Sequence, residues 1–148
     1  MSIVIRAATE QDREVWRRLW DGYCQFYESE VPAETTDATW RRVLDPSAPI
    51  IGRIAETDGR VVGFANAVIH LGTWRQAPVC YLEDLFVDPT VRGAGIGRAL
   101  IDDLLALCRQ EGWSQLYWHT RADNAVARRL YDSYTPADGF VCYRLDIA

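Results

Sequence analysis

With 148 residues, 49% of them hydrophobic and 25% charged, the chain has the composition of one ordinary globular domain able to bury a substantial core. The formal charge of −5 disfavours nonspecific nucleic-acid binding and suits a cationic partner, and all 16 basic residues are arginine, so no Schiff-base lysine is available. No apolar run approaches the roughly 18 residues of a membrane span, so no membrane partner is expected.

Residues 3–7 alternate enough for a first strand. Thr9-Glu10-Gln11-Asp12 reads as a capping box with Thr9 as N-cap, opening a helix with Val15, Leu19, Tyr23 and Phe26 along one stripe. A short second helix is expected over 36–44, closed by Asp45-Pro46. Two strand patterns, 50–56 and 60–71, flank Asp58-Gly59, a dipeptide suited to a type I′ turn. A polar loop over 72–78 holds Trp74. The next strand carries Val79, Tyr81, Leu85, Phe86 and Val87 and stops at Asp88-Pro89. Three glycines follow, Gly93, Gly95 and Gly97, and then a helix with Ile96, Leu100, Leu104 and Leu107 on one face, ended by Gly112. A strand is expected over 114–120, a helix capped by Asp123 or Asn124 from 125 to about 134, and a final strand over 140–147. The order β-α-α-β-β-β-α-β-α-β describes one α+β domain, residues 1–148, with a mixed sheet. The opening MSIVIRAATEQD lacks the charged-then-apolar order of a signal peptide. Cys24, Cys80, Cys108 and Cys142 are widely spaced with no C-x-x-C pair. That argues against a metal site or a disulfide framework and for a reducing cytoplasm.

A strand, a glycine-rich turn and a helix N-terminus make a phosphate site, because first-turn N–H groups are unpaired and glycine lets ligand oxygens reach the backbone. The dinucleotide pattern G-x-G-x-x-G fails, since Arg98 and Leu100 fall at its third glycine, and a P-loop would need a lysine. What stands here, Arg92-Gly93-Ala94-Gly95-Ile96-Gly97 after a Leu-Phe-Val strand, resembles the acetyl-CoA-binding motif of the GNAT superfamily of N-acetyltransferases. The element order matches that family along nearly the whole chain. The resemblance implies a mostly antiparallel mixed sheet with helices on both faces and a splayed central strand pair.

The resemblance also implies roles. Arg92, Gly93, Ala94, Gly95, Ile96, Gly97 and Arg98 would wrap the pyrophosphate of acetyl-CoA. The Leu85 amide would polarise the acetyl carbonyl, and the Phe86 and Val87 backbone would pair with the pantetheine arm. Asn124 and Tyr131 are seven positions, nearly two helical turns, apart and so share a face. By resemblance Asn124 orients the cofactor and Tyr131 protonates the leaving thiolate. YLEDLFV is similar to the segment of the polyamine and histone acetyltransferase branch with an acid at its third position. Glu83 is therefore the candidate general base, able to take the ammonium proton directly or through water. Strict alternation puts Asp84 on the opposite face from Glu83 and makes it the weaker candidate.

Tyr23, Tyr27, Glu28 and Glu30 would border the acceptor pocket, with Trp74 and Trp118 as further candidates. An aromatic and acidic lining suits an ammonium group. His70 and His119 read as core or surface. The expected function is transfer of acetyl from acetyl-CoA to a primary amine of a small cationic molecule, polyamine-like or an amino acid, by direct attack in a ternary complex and without a metal. A protein lysine or N-terminus is the next acceptor class, and a noncatalytic acyl-CoA sensor is the rival. One departure from the family pattern is the longer segment 132–138 before Gly139-Phe140. Many relatives are homodimers, and the apolar segment 140–145 could supply an edge strand or surface for pairing.

Overall fold

A computed structural model describes residues 2–147. Five strands run in spatial order β1-β2-β3-β4-β5: Ile3–Ala7, Ile50–Thr57, Arg60–His70, Val79–Val87 and Leu116–Trp118. The first four pair antiparallel, and β5 joins β4 in parallel. Four helices complete the fold: α1 Arg13–Phe26, α2 Ala33–Leu44, α3 Ile96–Glu111 and α4 Ala125–Asp132. None is long and apolar enough to cross a membrane.

The sheet separates two cores. On one face α1 and α2 bury Trp16, Leu19, Trp20, Trp40 and Val43 against Ile54, Phe64 and Phe86. On the other, Ile96, Leu100, Ile101, Leu104 and Cys108 of α3 cover Val62, Ala65, Ala67, Cys80 and Leu82. Leu130 and Tyr131 of α4 pack on that second core. Small residues of β3 let α3 lie close, and Arg53 of β2 grips Asp103 of α3 through two bonds of 2.8 and 3.0 Å.

Local signals explain most element ends. The Asp12 carboxylate accepts from the Thr9 amide at 2.8 Å, as a capping box requires, but the first turn is 3-10 and α1 proper begins at Arg13. Arg6 also grips Asp12, at 2.8 Å. The buried stripe of α1 is rotated from the expected one: Trp16, Leu19 and Trp20 are inside, whereas Phe26 is exposed. Bulky indoles fill the space over Phe64 better than the smaller Val15. Helix α2 starts at Ala33, earlier than expected, because Pro32 serves as its N-cap. Asp58 and Gly59 both have positive φ, 52° and 78°, as a type I′ turn needs.

Two expectations fail. No strand forms over 140–147; these residues are unpaired and exposed. A strand needs a hydrogen-bonded partner, and this segment has none among the described residues. The other concerns β4. Asn66 pairs with Asp84 while the next residue, Ala67, pairs with Leu82, so Glu83 is bulged out of the ladder. The bulge resets the alternation: Leu82 and Leu85 face α3, whereas Tyr81, Asp84 and Phe86 face the other way. It also bends the strand. Pairing of β4 with β5 ends at Leu82↔Trp118, so the two strands separate beyond the bulge.

Candidate active site

The turn between β4 and α3 has the geometry of a phosphate cradle. Gly93 and Gly95 have φ of 85° and 84°, and Gly95 is the N-cap of α3. A Cβ at either would meet nothing within 4 Å, so open space rather than packing lies over them. The first intrahelical bond runs from the Ala99 amide to the Gly95 carbonyl at 3.0 Å. The amides of Ile96, Gly97 and Arg98 remain for another acceptor. Gly97 differs: a Cβ there would press on the Leu130 Cδ2 at 3.3 Å, so it serves the contact of α3 with α4. The Ile96 side chain is core, and Ala94 packs against the same cluster. Arg92 donates to the Val87 carbonyl at 3.3 Å and lies over the rings of Phe26 and Phe86, 5.7 and 5.5 Å from their centroids. Arg98 donates to the Ser133 hydroxyl at 3.0 Å and covers the Tyr134 ring.

Beside this cradle, the gap between β4 and β5 leaves the backbone of Leu85 and Val87 turned toward the side β5 has left, whereas that of Phe86, expected there too, pairs with Phe64 in the β3 ladder. Their side chains anchor the strand: Leu85 and Val87 on the α3 core, Phe86 on the α1 core. Tyr131 borders the gap from α4, packed edge-on against Trp118 with centroids 5.5 Å apart. Burial pushes its hydroxyl up to about 12, so it holds its proton at neutral pH. Asn124 caps α4, accepting from the Ala127 amide at 3.3 Å and donating to the Thr120 hydroxyl at 3.2 Å. Its side chain is thus committed to ordering the turn into α4. Asn124 is the cap, just outside the helix that carries Tyr131.

On the α1 side of the gap a cluster of oxygens converges. Asp84 is buried and accepts from the Asn66 amide at 3.1 Å. Burial pushes its carboxyl up to about 6, opposed by the Asn66 amide and the neighbouring Tyr23 hydroxyl. That hydroxyl also donates to the Glu83 carbonyl, at a long 3.4 Å. Tyr27 stacks obliquely on Tyr23 at 5.0 Å and is raised by burial, then by the charge of Asp84. Tyr27 in turn adds to the rise of Tyr131, after burial. Glu83, on the bulge, is exposed.

The sequence expectation passed over Asp84. Its signal was present in the adjacent acids Glu83-Asp84 inside an apolar strand, which regular alternation would split between two buried faces. The structure keeps Tyr23 and Tyr27 with Glu83, and Trp118 beside Tyr131, but not Glu28, Glu30 or Trp74. Glu28 is exposed at φ 53°, and Trp74 is 92% exposed. Glu30 lines a separate hollow of about 600 Å³ with Trp20, Cys24 and Val31. His70 and His119 join a surface aromatic group with Tyr81 and Tyr117, His70 Nε2 lying 2.7 Å from the Tyr117 hydroxyl and His119 Nδ1 3.3 Å from that of Tyr81. Among the described residues no group of His, Cys, Asp and Glu is arranged to hold a metal ion.

Comparison with known proteins gives this arrangement its context. The model of the acetyltransferase (GNAT) family matches residues 15–134. The chain is 33% identical over 144 residues to a D-amino-acid N-acetyltransferase of Saccharomyces cerevisiae, covering 96% of this chain and 89% of that one. It is 31% identical over 105 residues to the thialysine N-epsilon-acetyltransferase of Bos taurus, covering 67% and 61%. Among solved structures, AAC(6')-Iy in complex with the bisubstrate analogue CoA-S-monomethyl-acetylneamine superposes with a TM-score of 0.83 at 22% identity, over 99% of this chain and all of that one. An aminoglycoside acetyltransferase from an uncultured soil metagenomic sample, in complex with trehalose, gives 0.79 at 19% identity, over 99% and 96%. A cradle for phosphates, a split in the sheet beside it and these matches lead to one assignment: the chain is an N-acetyltransferase and belongs to the GNAT family.

Proposed function

We propose that this enzyme transfers acetyl from acetyl-CoA to the primary amine of a small cationic or zwitterionic molecule, an amino acid or a polyamine-like compound. The single observation that carries the acceptor class is the group formed by Asp84, Tyr23 and Tyr27 beside Glu83, acid and aromatic together. Such a group attracts an ammonium ion by charge and by ring faces. Relatives named for D-amino acids and thialysine favour the amino-acid end of the range. Four free thiols are compatible with a reducing cytoplasm.

The residues fit the donor. Open space over Gly93 and Gly95 and the free amides of Ile96, Gly97 and Arg98 suit its pyrophosphate, and Arg92 and Arg98 add positive charge. Bound there, acetyl-CoA supplies an activated acyl carbon. The Leu85 amide offers a fixed dipole for the acyl oxygen, and the Val87 backbone offers pairing along the gap. Asn124 fixes the turn that orients α4. Tyr131, holding its proton to about 12, offers a hydrogen bond to the departing sulfur. A thiol's ordinary value near 8.5 makes complete proton transfer from it uphill. Glu83, exposed on the bulge, accepts the ammonium proton directly or through water, while Asp84 supplies buried negative charge beneath the amine.

Release of free CoA with a panel of D- and L-amino acids, thialysine, polyamines, aminoglycosides and lysine peptides tests the reading. Turnover is expected with small amines. Turnover with peptides alone would instead indicate a protein acetyltransferase, and binding of acetyl-CoA with no turnover a sensor. Glu83→Gln should lower kcat at saturating amine by about 10²-fold or more, partly recovered at alkaline pH. An unchanged kcat and pH profile would remove Glu83 as the base.

A further inference from the structure

The surface group of Tyr81, Tyr117, His70 and His119 belongs to neither core. Tyr81 of β4 stands opposite Tyr117 of β5, and their rings stack at 4.8 Å with planes 14° apart. His70, at the end of β3, lies edge-on to Tyr117, and His119, just past β5, lies edge-on to both tyrosines. The tyrosines are half-buried and both histidines are exposed, so the fold does not need these rings to fill an interior.

Hydrogen bonds hold the rings in place. His70 Nδ1 is 2.8 Å from the Leu71 carbonyl, which can only accept, so the neutral imidazole carries its proton there. Nε2 then accepts from the Tyr117 hydroxyl at 2.7 Å. The Tyr81 hydroxyl is 3.3 Å from His119 Nδ1. Both phenols are therefore tied within the group, and a ligand laid on it is spared the cost of ordering the rings.

This platform continues the amine site. Tyr81 shares the α1 side of the sheet with Asp84 and Phe86, and it comes two positions before the bulged Glu83. Burial raises the Tyr81 and Tyr117 hydroxyls, and the charge of Glu83 adds to both. The other end of the platform has the opposite character. Residues 68–80 and 113–119, which build it from β3, β4, β5 and their loops, contain no acid. The one charge there is Arg75, which donates to the Ser114 carbonyl at 3.3 Å. One end thus suits an ammonium ion, whereas the other suits an uncharged ring.

We infer that the platform is a second subsite of the acceptor pocket and takes an aromatic side chain, so that the preferred acceptor is an arylalkylamine or an aromatic amino acid with its ammonium at Glu83 and Asp84. The inference rests on the amine-acetyltransferase reading above and narrows its substrate class. Two strand positions span about 7 Å, and an ammonium joined to a ring by two carbons covers that span. Ring contacts with Tyr81 and Tyr117 then add to the burial of apolar surface. A polyamine of the same length would bring its second ammonium to Arg75 and to no carboxylate.

Calorimetry on the protein saturated with CoA separates ring from charge. Phenethylamine should bind about tenfold more tightly than propylamine, which carries the same single charge. The second ammonium of 1,4-diaminobutane should give no gain over propylamine. Tyr117→Ala should remove most of the phenethylamine advantage, whereas Tyr117→Phe, which keeps the ring, should retain it. Tyr117→Leu repeats the comparison with apolar bulk preserved, should the alanine variant not fold. Equal affinities of the two monoamines for the wild type, or an advantage that survives loss of the ring, would overturn the subsite. So would a diamine that binds more tightly than phenethylamine, because the platform would then serve a second ammonium. Release of free CoA from acetyl-CoA tests the reading beneath. No release despite selective binding of phenethylamine would fail that reading and leave the subsite standing. Release from both monoamines without selective binding would fail the subsite alone.

Discussion

Burial pushes the Asp84 carboxyl from its ordinary 3.8 up to about 6, so the folded protein binds this proton more tightly than the unfolded chain. The stability from that proton is present below about pH 4 and is lost as pH rises through about 6. Asp84→Asn, neutral throughout, should therefore raise the melting temperature at pH 8 and give little gain at pH 4. The upper bound is about 3 kcal/mol, from two pKa units. An equal gain at both pH values would mean that Asp84 does not titrate there. The same variant should raise KM for a cationic amine and abolish an acidic limb of kcat/KM near pH 6. Tyr131 is a different case, since its hydroxyl is held protonated rather than poised. Tyr131→Phe keeps the packing on Trp118 and should lower kcat by roughly 10²- to 10⁴-fold, with acetyl-CoA affinity little changed. Full activity would leave Tyr131 a packing role.

The glycine turn shows how one short element divides its work. Gly97 yields room to Leu130, whereas Gly93 and Gly95 yield room to nothing in the protein. Gly95→Asn tests the division, because asparagine tolerates left-handed backbone and its side chain meets no neighbour. Thermal stability should shift by about 1 kcal/mol or less, while calorimetry should show acetyl-CoA binding weakened at least tenfold. Unchanged affinity would take the turn out of the donor site. This turn was legible in the sequence because both its strand and its helix carried periodic apolar residues. The bulge in β4 was not. Nothing in Leu82-Glu83-Asp84-Leu85 departs from a strand pattern except the paired acids, and pairing with Asn66 and Ala67 of β3 decides which of them leaves the ladder. Alternation counted from Glu83 therefore misplaced Asp84.

At the scale of the molecule, the chain order of helices and strands was readable because each amphipathic segment has a local period. The rotation of α1 depended on Trp40 and Phe64, which arrive from α2 and β3 to meet Trp16. No window along α1 contains them. The final segment exposes the same limit from the other side. Its pattern is that of a strand, yet a pattern names no partner, and among the described residues the segment has none. Tyr23, Tyr27 and Asp84 likewise come from α1 and β4, some sixty positions apart, and become one site through the sheet.

The bulge carries one more implication, about how a site can be added to a sheet. Read without Glu83, β4 alternates faultlessly: Cys80, Leu82, Leu85 and Val87 toward α3, Tyr81, Asp84 and Phe86 toward α1, with Leu82 and Asp84 opposite the consecutive residues Ala67 and Asn66. No core side chain depends on this position. A one-residue insertion could thus have arisen in a working scaffold without moving any buried neighbour to the wrong layer, and it projects a carboxylate where the strands part. Such a position is free to vary in what it offers a substrate while the architecture around it stays constant.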